Sequence, residues 1–221
     1  MMLRWSLASA LAIALLLGAC DGTPSSPAAD GRLQVDVVGL PAGVIAKVTV
    51  RGPANFVRDI TQSTLLTGLA RGDYELWPSP IVTDSATYMP TQTTVRVTIG
   101  ANDEAAASVA YTLTTGRLAV LLEGLPPGSA VKATVVGPKG YSVILSTSDT
   151  LGNLEPGSYD VSTANVTQGS DIYAPTPQRA TVTVAAVSDP TAVQLKFSLI
   201  SGSIAISVLG LPSTVPAQVR G

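Results

Sequence analysis

The sequence predicts an all-β chain of tandem antiparallel β-sandwich modules, about seven strands each, and three observations carry that reading. The stretch Gly31 to Pro53, GRLQVDVVGLPAGVIAKVTVRGP, returns at Gly116 to Pro138 as GRLAVLLEGLPPGSAVKATVVGP and starts again at Gly202. Those starts lie 85 and 86 residues apart, and a fixed period with matching turn residues marks one supersecondary unit used repeatedly. Inside the stretch, apolar and polar residues alternate with period two, the signature of a half-buried strand. Thr, Ser, Val and Ala dominate over strong helix formers, and 20 Gly and 16 Pro punctuate the chain, which favours short strands joined by turns.

The repeat divides the chain into residues 31–115, residues 116–201 and a truncated third start at residues 202–221. A unit of 85 residues is long enough to own a hydrophobic core. In the first strand Leu33, Val35 and Val37 share a face, matched by Leu118, Val120 and Leu122 and then by Ile204, Ile206 and Val208. The Gly39-Leu40-Pro41-Ala42-Gly43 segment reads as a turn, leading to a second strand with Ala46, Val48 and Val50 inside. Together they predict a β-hairpin opening each module. A weaker pair of short strands follows at Phe56–Ile60 and Ser63–Thr67, matched by Tyr141–Leu145 and Ser148–Leu151.

The second anchor is Leu69-Ala70-Arg71-Gly72-Asp73-Tyr74-Glu75-Leu76, repeated as Leu154-Glu155-Pro156-Gly157-Ser158-Tyr159-Asp160-Val161. A Leu, a turn glycine (Gly72, Gly157) and a Tyr entering a strand suit a buried aromatic whose hydroxyl pins the preceding turn. Tyr88 with Pro90, and Tyr173 with Pro175, fall in the loop that follows. Val95, Val97 and Ile99 mark a sixth strand, and Val109, Tyr111 and Leu113 a seventh. Their counterparts are Ala180, Val182 and Val184, and then Leu195, Phe197 and Leu199. Leu113 stands three residues before Gly116, so the modules should abut as a semi-rigid string.

Composition restricts function. Without Arg4 in the leader, 12 basic residues stand against 15 acidic ones, and no basic patch exists to hold a phosphate backbone, so no nucleic-acid partner is expected. Cys20 is the only cysteine and histidine is absent. Internal disulfides are thereby excluded, and a transition-metal site would need carboxylates alone.

The leader, Met1 to Cys20, has Arg4 as its positive region and Leu7 to Leu17 as its apolar core. That core is too short to span a bilayer as a helix. Its end, Leu17-Gly18-Ala19-Cys20, resembles the bacterial lipobox. The resemblance implies a cleaved signal helix at residues 1–19, a diacylglyceryl group on the Cys20 sulfur and an acyl group on its amine. Two or more chains give stable membrane anchoring where one is marginal. Asp21 follows, a residue associated in enterobacterial lipoproteins with inner-membrane retention. Residues 20–30 then form the lipidated cysteine and a Pro/Ser/Ala-rich tether, whose last ten residues reach at most about 33 Å.

The Leu-x-Pro-Gly-x-Tyr-x-Val pattern of Leu154 to Val161, present without the Pro at Leu69 to Leu76, resembles the prealbumin-like and Ig-like sandwich modules of bacterial surface proteins. Some such modules crosslink a Lys to an Asn beside an acid. Lys47, Lys132, Glu75 and Asp160 invite that comparison, but the third copy has Gln218 in register and neither seventh strand carries an Asn, so no crosslink is expected.

Other motifs carry less. Ser129-Ala130-Val131-Lys132 fits the S-x-x-K of serine acyl-transferases, yet it enters a strand rather than a helix and has no K-T-G partner. Asn102-Asp103-Glu104 reads as a solvated turn before it reads as a Ca²⁺ site, with only Ser188-Asp189 near the matching position. Asn165-Val166-Thr167 is a sequon without weight behind a bacterial leader. Trp77-Pro78 and Tyr88 would either stack on sugar rings or pack under the long loop. No enzyme activity and no cofactor are expected. The favoured function is a membrane-anchored cell-envelope lipoprotein, exported outside the cytoplasm, whose repeats are structural or binding modules for a protein or glycan ligand. The alternatives are a stalk for a further C-terminal catalytic or ligand-binding domain, which the truncated third repeat suggests, or a carbohydrate-binding module using Trp77 and Tyr88.

Overall fold

A computed structural model describes residues 31–101, 103–202 and the single positions 206, 207, 209 and 218. Leu17, Gly18, Ala19 and Cys20, the tether, Asn102 and most of the third repeat lie outside the described residues. Of that third repeat, Ile206 and Leu209 are exposed.

The first module contains nine strands: β1 (Gly31–Val38), β2 (Val48–Gly52), β3 (Phe56–Ile60), β4 (Thr64–Leu69), β5 (Gly72–Pro78), β6 (Ile81–Val82), β7 (Thr87–Pro90), β8 (Val95–Ile99) and β9 (Glu104–Leu113). They form a five-stranded sheet in the order β4-β1-β9-β7-β6 and a four-stranded sheet in the order β3-β2-β5-β8. The second module repeats the plan with β10 (Gly116–Glu123), β11 (Ala133–Val136), β12 (Ser142–Leu145), β13 (Asp149–Leu154), β14 (Gly157–Thr163), β15 (Val166–Gln168), β16 (Asp171–Thr176), β17 (Arg179–Val184) and β18 (Thr191–Leu199). Its sheets run β13-β10-β18-β16-β15 and β12-β11-β14-β17. The described residues are all-β apart from one 3₁₀ turn at Pro138–Gly140, with two sandwich modules of one topology.

Alternation produces the two cores. Leu33, Val35, Val48, Val50, Leu66, Leu69, Leu76 and Ile99 pack between the first pair of sheets; Leu118, Val120, Ala133, Val135, Leu154, Val161 and Leu195 fill the second. Each Val, Leu or Ile side chain removed from water there contributes about 1.5–3 kcal/mol. No buried residue is shared between the two cores.

Several details differ from the sequence expectation, the first being nine strands in each module where about seven are expected. The opening pair is not a hairpin: β1 pairs antiparallel with β4 and parallel with β9, while β2 pairs with β3 and β5 in the opposite sheet. The Gly39–Lys47 connection is too long for a tight hairpin and arches over the core instead. The short strands β3 and β4 likewise lie in different sheets. Ser63, between them, clamps the crossing by accepting from the Val37 amide at 2.9 Å, and Ser148 does the same for Leu122 at 2.8 Å. Finally, the segments with Tyr88-Pro90 and Tyr173-Pro175 are strands, not loop, because they extend the larger sheet beside β9 and β18. Leu199, placed inside by alternation, is 53% exposed at the end of β18.

Candidate functional site

The densest constellation repeated in both modules surrounds Tyr74 and Tyr159. Each enters its strand as the third residue and points into the core, where both rings are completely or almost completely buried. The Tyr74 hydroxyl donates to the Ala70 carbonyl at 2.9 Å, and the Tyr159 hydroxyl donates to the Glu155 carbonyl at the same distance. A buried phenol needs such a partner, since leaving it unpaired costs about 1–3 kcal/mol. Burial raises the pKa of both phenols above the ordinary tyrosine value, opposed by the backbone hydrogen bond. Phe56 meets Tyr74 edge to face at 5.6 Å, and Tyr141 meets Tyr159 at 5.8 Å.

Backbone close to the rings completes the arrangement. Gly52 and Gly137 lie flat against the Tyr74 and Tyr159 rings, where a Cβ would overlap ring carbons. Gly72 and Gly157 hold positive φ of 137° and 156°, and a Cβ on either would come within 2.7 Å of Pro53 or Pro138. Gly72 with Tyr74, and Gly157 with Tyr159, are therefore parts of two equivalent packing units, one in each module, and each unit orders a turn. The sequence does not announce the part of Gly52 and Gly137; their repetition before Pro53 and Pro138 is the available signal.

The carboxylates considered for a crosslink are held by arginines. Glu75 pairs with Arg96 Nε at 3.0 Å, and Asp160 with Arg179 Nη2 at 2.7 Å. Hydrogen bonds from Arg179 and then Thr181 hold the Asp160 carboxyl below the usual carboxylate range. Lys47 and Lys132 are exposed. Ser129 lies in the connection before β11, where its hydroxyl donates to the Pro126 carbonyl at 2.8 Å and contacts Gln168. Among the described residues no group of three or more His, Cys, Asp or Glu stands together. No described helix is long and apolar enough to cross a membrane.

The structure separates Trp77 from Tyr88. Trp77 is 42% exposed on the outer face of the four-stranded sheet, whereas Tyr88 is 7% exposed in the other sheet. Tyr88 presents no ring face for a sugar, because β7 turns it into the core, and the paired-aromatic reading is corrected accordingly. Trp77 has a different neighbour: the Arg51 guanidinium sits 5.9 Å from its ring centroid. Thr49 and Asp59 line up beside them, hydrogen-bonded at 2.6 Å. The matching positions in the second module are Val136 and Ser162, so this outer-face cluster belongs to the first module alone.

No family model matches the chain, and no curated protein matches it. Solved structures of similar architecture do exist. The chain is similar to the Bacillus anthracis TIE protein, at 16% identity over 76% of this chain and 34% of that one, with a TM-score of 0.36. It is similar to the Streptococcal ancillary pilin at 12% identity, over 76% of this chain and 62% of that one, with a TM-score of 0.36. It is also similar to the shaft pilin SpaA of Lactobacillus rhamnosus GG at 9% identity, over 80% and 100% of the two chains, with a TM-score of 0.41. The chain thus spans about a third of the first of these proteins and less than two thirds of the second. These are likenesses of architecture, and they assign no role to any residue here.

Proposed function

We propose that the chain is a membrane-anchored lipoprotein of the bacterial cell envelope whose two sandwich modules act as a non-catalytic spacer or binding stalk. The observation that carries the stalk reading is repetition of a purely structural unit. Both modules build the same tyrosine-centred turn on the same nine-strand plan, and repetition of scaffold rather than of a reactive cluster is what a spacer requires. The anchor rests on Cys20, the sole cysteine, at the end of Leu17-Gly18-Ala19-Cys20. Replacing Cys20 with Ser should abolish metabolic labelling by fatty acid and leave an unprocessed or released protein. Equal labelling of the variant would sink the lipoprotein reading.

A second reading, a ligand-binding module, is favoured by one observation: Trp77 and Arg51 form an exposed aromatic and cationic platform that the second module lacks. Binding to isolated cell-envelope glycans that disappears in Trp77→Ala, with the melting curve unchanged, is the outcome expected of it. Binding unaltered in that variant would dismiss it.

A further inference from the structure

The two modules meet where their repeated sequences diverge. At the end of the fourth strand the first module has Thr67-Gly68, and the second has Gly152-Asn153 at the matching positions in β13. Gly68 and Asn153 both adopt left-handed backbone, with φ of 69° and 53°. The register shift where β4 pairs with β1, and β13 with β10, therefore takes positive φ at this position in either module. Glycine meets that demand without strain, and asparagine is among the few side chains that tolerate it. Something specific to the second module must favour an amide side chain at a position better suited to glycine.

The contacts supply it. Asn153 Nδ2 donates to the Thr83 carbonyl at 2.6 Å, and Asn153 Oδ1 accepts from the Thr87 hydroxyl at 3.0 Å. The Asn153 backbone amide donates to the Ser85 carbonyl at 3.1 Å. Three bonds from one residue thus grip the Thr83–Thr87 turn between β6 and β7 of the first module. The neighbouring position fits the same way: a Cβ on Gly152 would stand 2.6 Å from Ser85 Cα, so the threonine of the first module would not permit the approach.

The gripped turn is itself firm. Thr83 Oγ1 caps it by donating to the Ala86 carbonyl at 3.0 Å and accepting from the Ala86 amide at 3.1 Å. The linker ties back to it as well: the Thr87 amide donates to Thr115 Oγ1 at 2.8 Å, and the Thr114 amide donates to the Thr87 carbonyl at 2.9 Å. A rigid plug, a short bonded linker and a socket with both amide atoms engaged leave little freedom for a hinge. Ordinary contacts between domains of one chain permit relative motion; this one restrains it.

We infer that Gly152-Asn153 is a dedicated socket for the Thr83–Thr87 turn, and that it holds the two modules as one stiff rod with a fixed mutual orientation. The inference stands whether or not Cys20 is acylated. The matching turn of the second module, between β15 and β16, keeps only the tie to the segment that follows, with the Ile172 amide donating to Ser201 Oγ at 2.7 Å as Thr87 does to Thr115; Gln168 and Ile172 stand where the first module has the Thr83 cap and the Thr87 hydroxyl. The hydroxyl from which Asn153 Oδ1 accepts therefore has no counterpart in the second module's turn, so the Gly-Asn socket is matched to the first module's turn in particular.

Electron–electron spin distance measurements on the full chain in a Cys20→Ser background test the joint, with spin labels on Arg58→Cys in the first module and Ser142→Cys in the second. The Arg58→Cys/Ser142→Cys protein should give one narrow distance distribution. Asn153→Gly keeps the backbone conformation that Gly68 already adopts and removes only the side-chain grip. It should broaden the distribution about twofold as other orientations gain population, with the melting transitions unchanged. Should Asn153→Gly disturb the second module, Asn153→Asp keeps the tolerance for positive φ and loses only the donor to Thr83; it should broaden the distribution as well. A broad distribution before either change, or a narrow one that survives both, would overturn the proposal.

Discussion

At the scale of single residues, stability should centre on the two tyrosine corners. Truncating Tyr74 or Tyr159 to Ala removes a buried ring and should cost about 3–5 kcal/mol, measured by chemical denaturation. Tyr→Phe keeps the ring and orphans the Ala70 or Glu155 carbonyl, for a loss of about 1 kcal/mol. Gly52→Ala, though smaller than either, should destabilise the first module by about 1–3 kcal/mol, the range for overpacking, because its methyl would overlap the Tyr74 ring. The pH dependence follows from the phenols. Their pKa is raised on folding, so the folded state holds the proton more tightly than the unfolded chain. Their contribution is complete below the unfolded phenol value near 10 and is lost as pH rises through the folded value. Stability should therefore fall above about pH 10, and Tyr74→Phe with Tyr159→Phe should flatten that decline. The position of the corner is legible because Leu, Gly and Tyr recur at one spacing. Its packing is not, since the glycine against each ring sits about twenty residues earlier and only the third dimension joins them.

At the scale of elements, period two identifies which residues of a strand face the core but not which strand is its neighbour. Leu33, Val35, Val48 and Val50 are all buried, as either a hairpin or an arch would have them. Pairing distinguishes the two, and β1 takes β4 and β9 where a hairpin would have given it β2. The length of the Gly39–Lys47 connection was the one local hint, since two-residue loops are the usual hairpin connection. The parallel β1–β9 pair joins residues some seventy positions apart and no local pattern encodes it. Hydrogen exchange should display the arrangement directly. β1 and β2 are each flanked on both sides within different sheets, whereas β3 and β4 are edges. Amides of the interior strands β1, β2, β5 and β9 should therefore exchange more slowly than those of the edge strands β3, β4 and β8; comparable rates in β2 and β3 would contradict the sheet order.

At the scale of the whole molecule, the repeat makes the number of modules readable from the sequence, but the quality of their junction depends on two residues that break the repeat. Stiffness at the joint and independence of the cores are separate properties. The joint uses hydrogen bonds of partly exposed groups, each worth about 0.5–1.5 kcal/mol net, while each core rests on burial of a dozen or more apolar side chains. The orientation of the modules can thus be fixed while their unfolding stays mostly local. Leu33→Ala and Leu195→Ala each empty a fully buried site in a different core and should cost about 2–5 kcal/mol. In calorimetry, Leu33→Ala should lower one transition and Leu195→Ala the other, with the untouched module shifted by no more than the joint can transmit. If either substitution lowered both transitions equally, the sandwiches would form a single cooperative unit, and the joint would have to carry far more free energy than its hydrogen bonds supply.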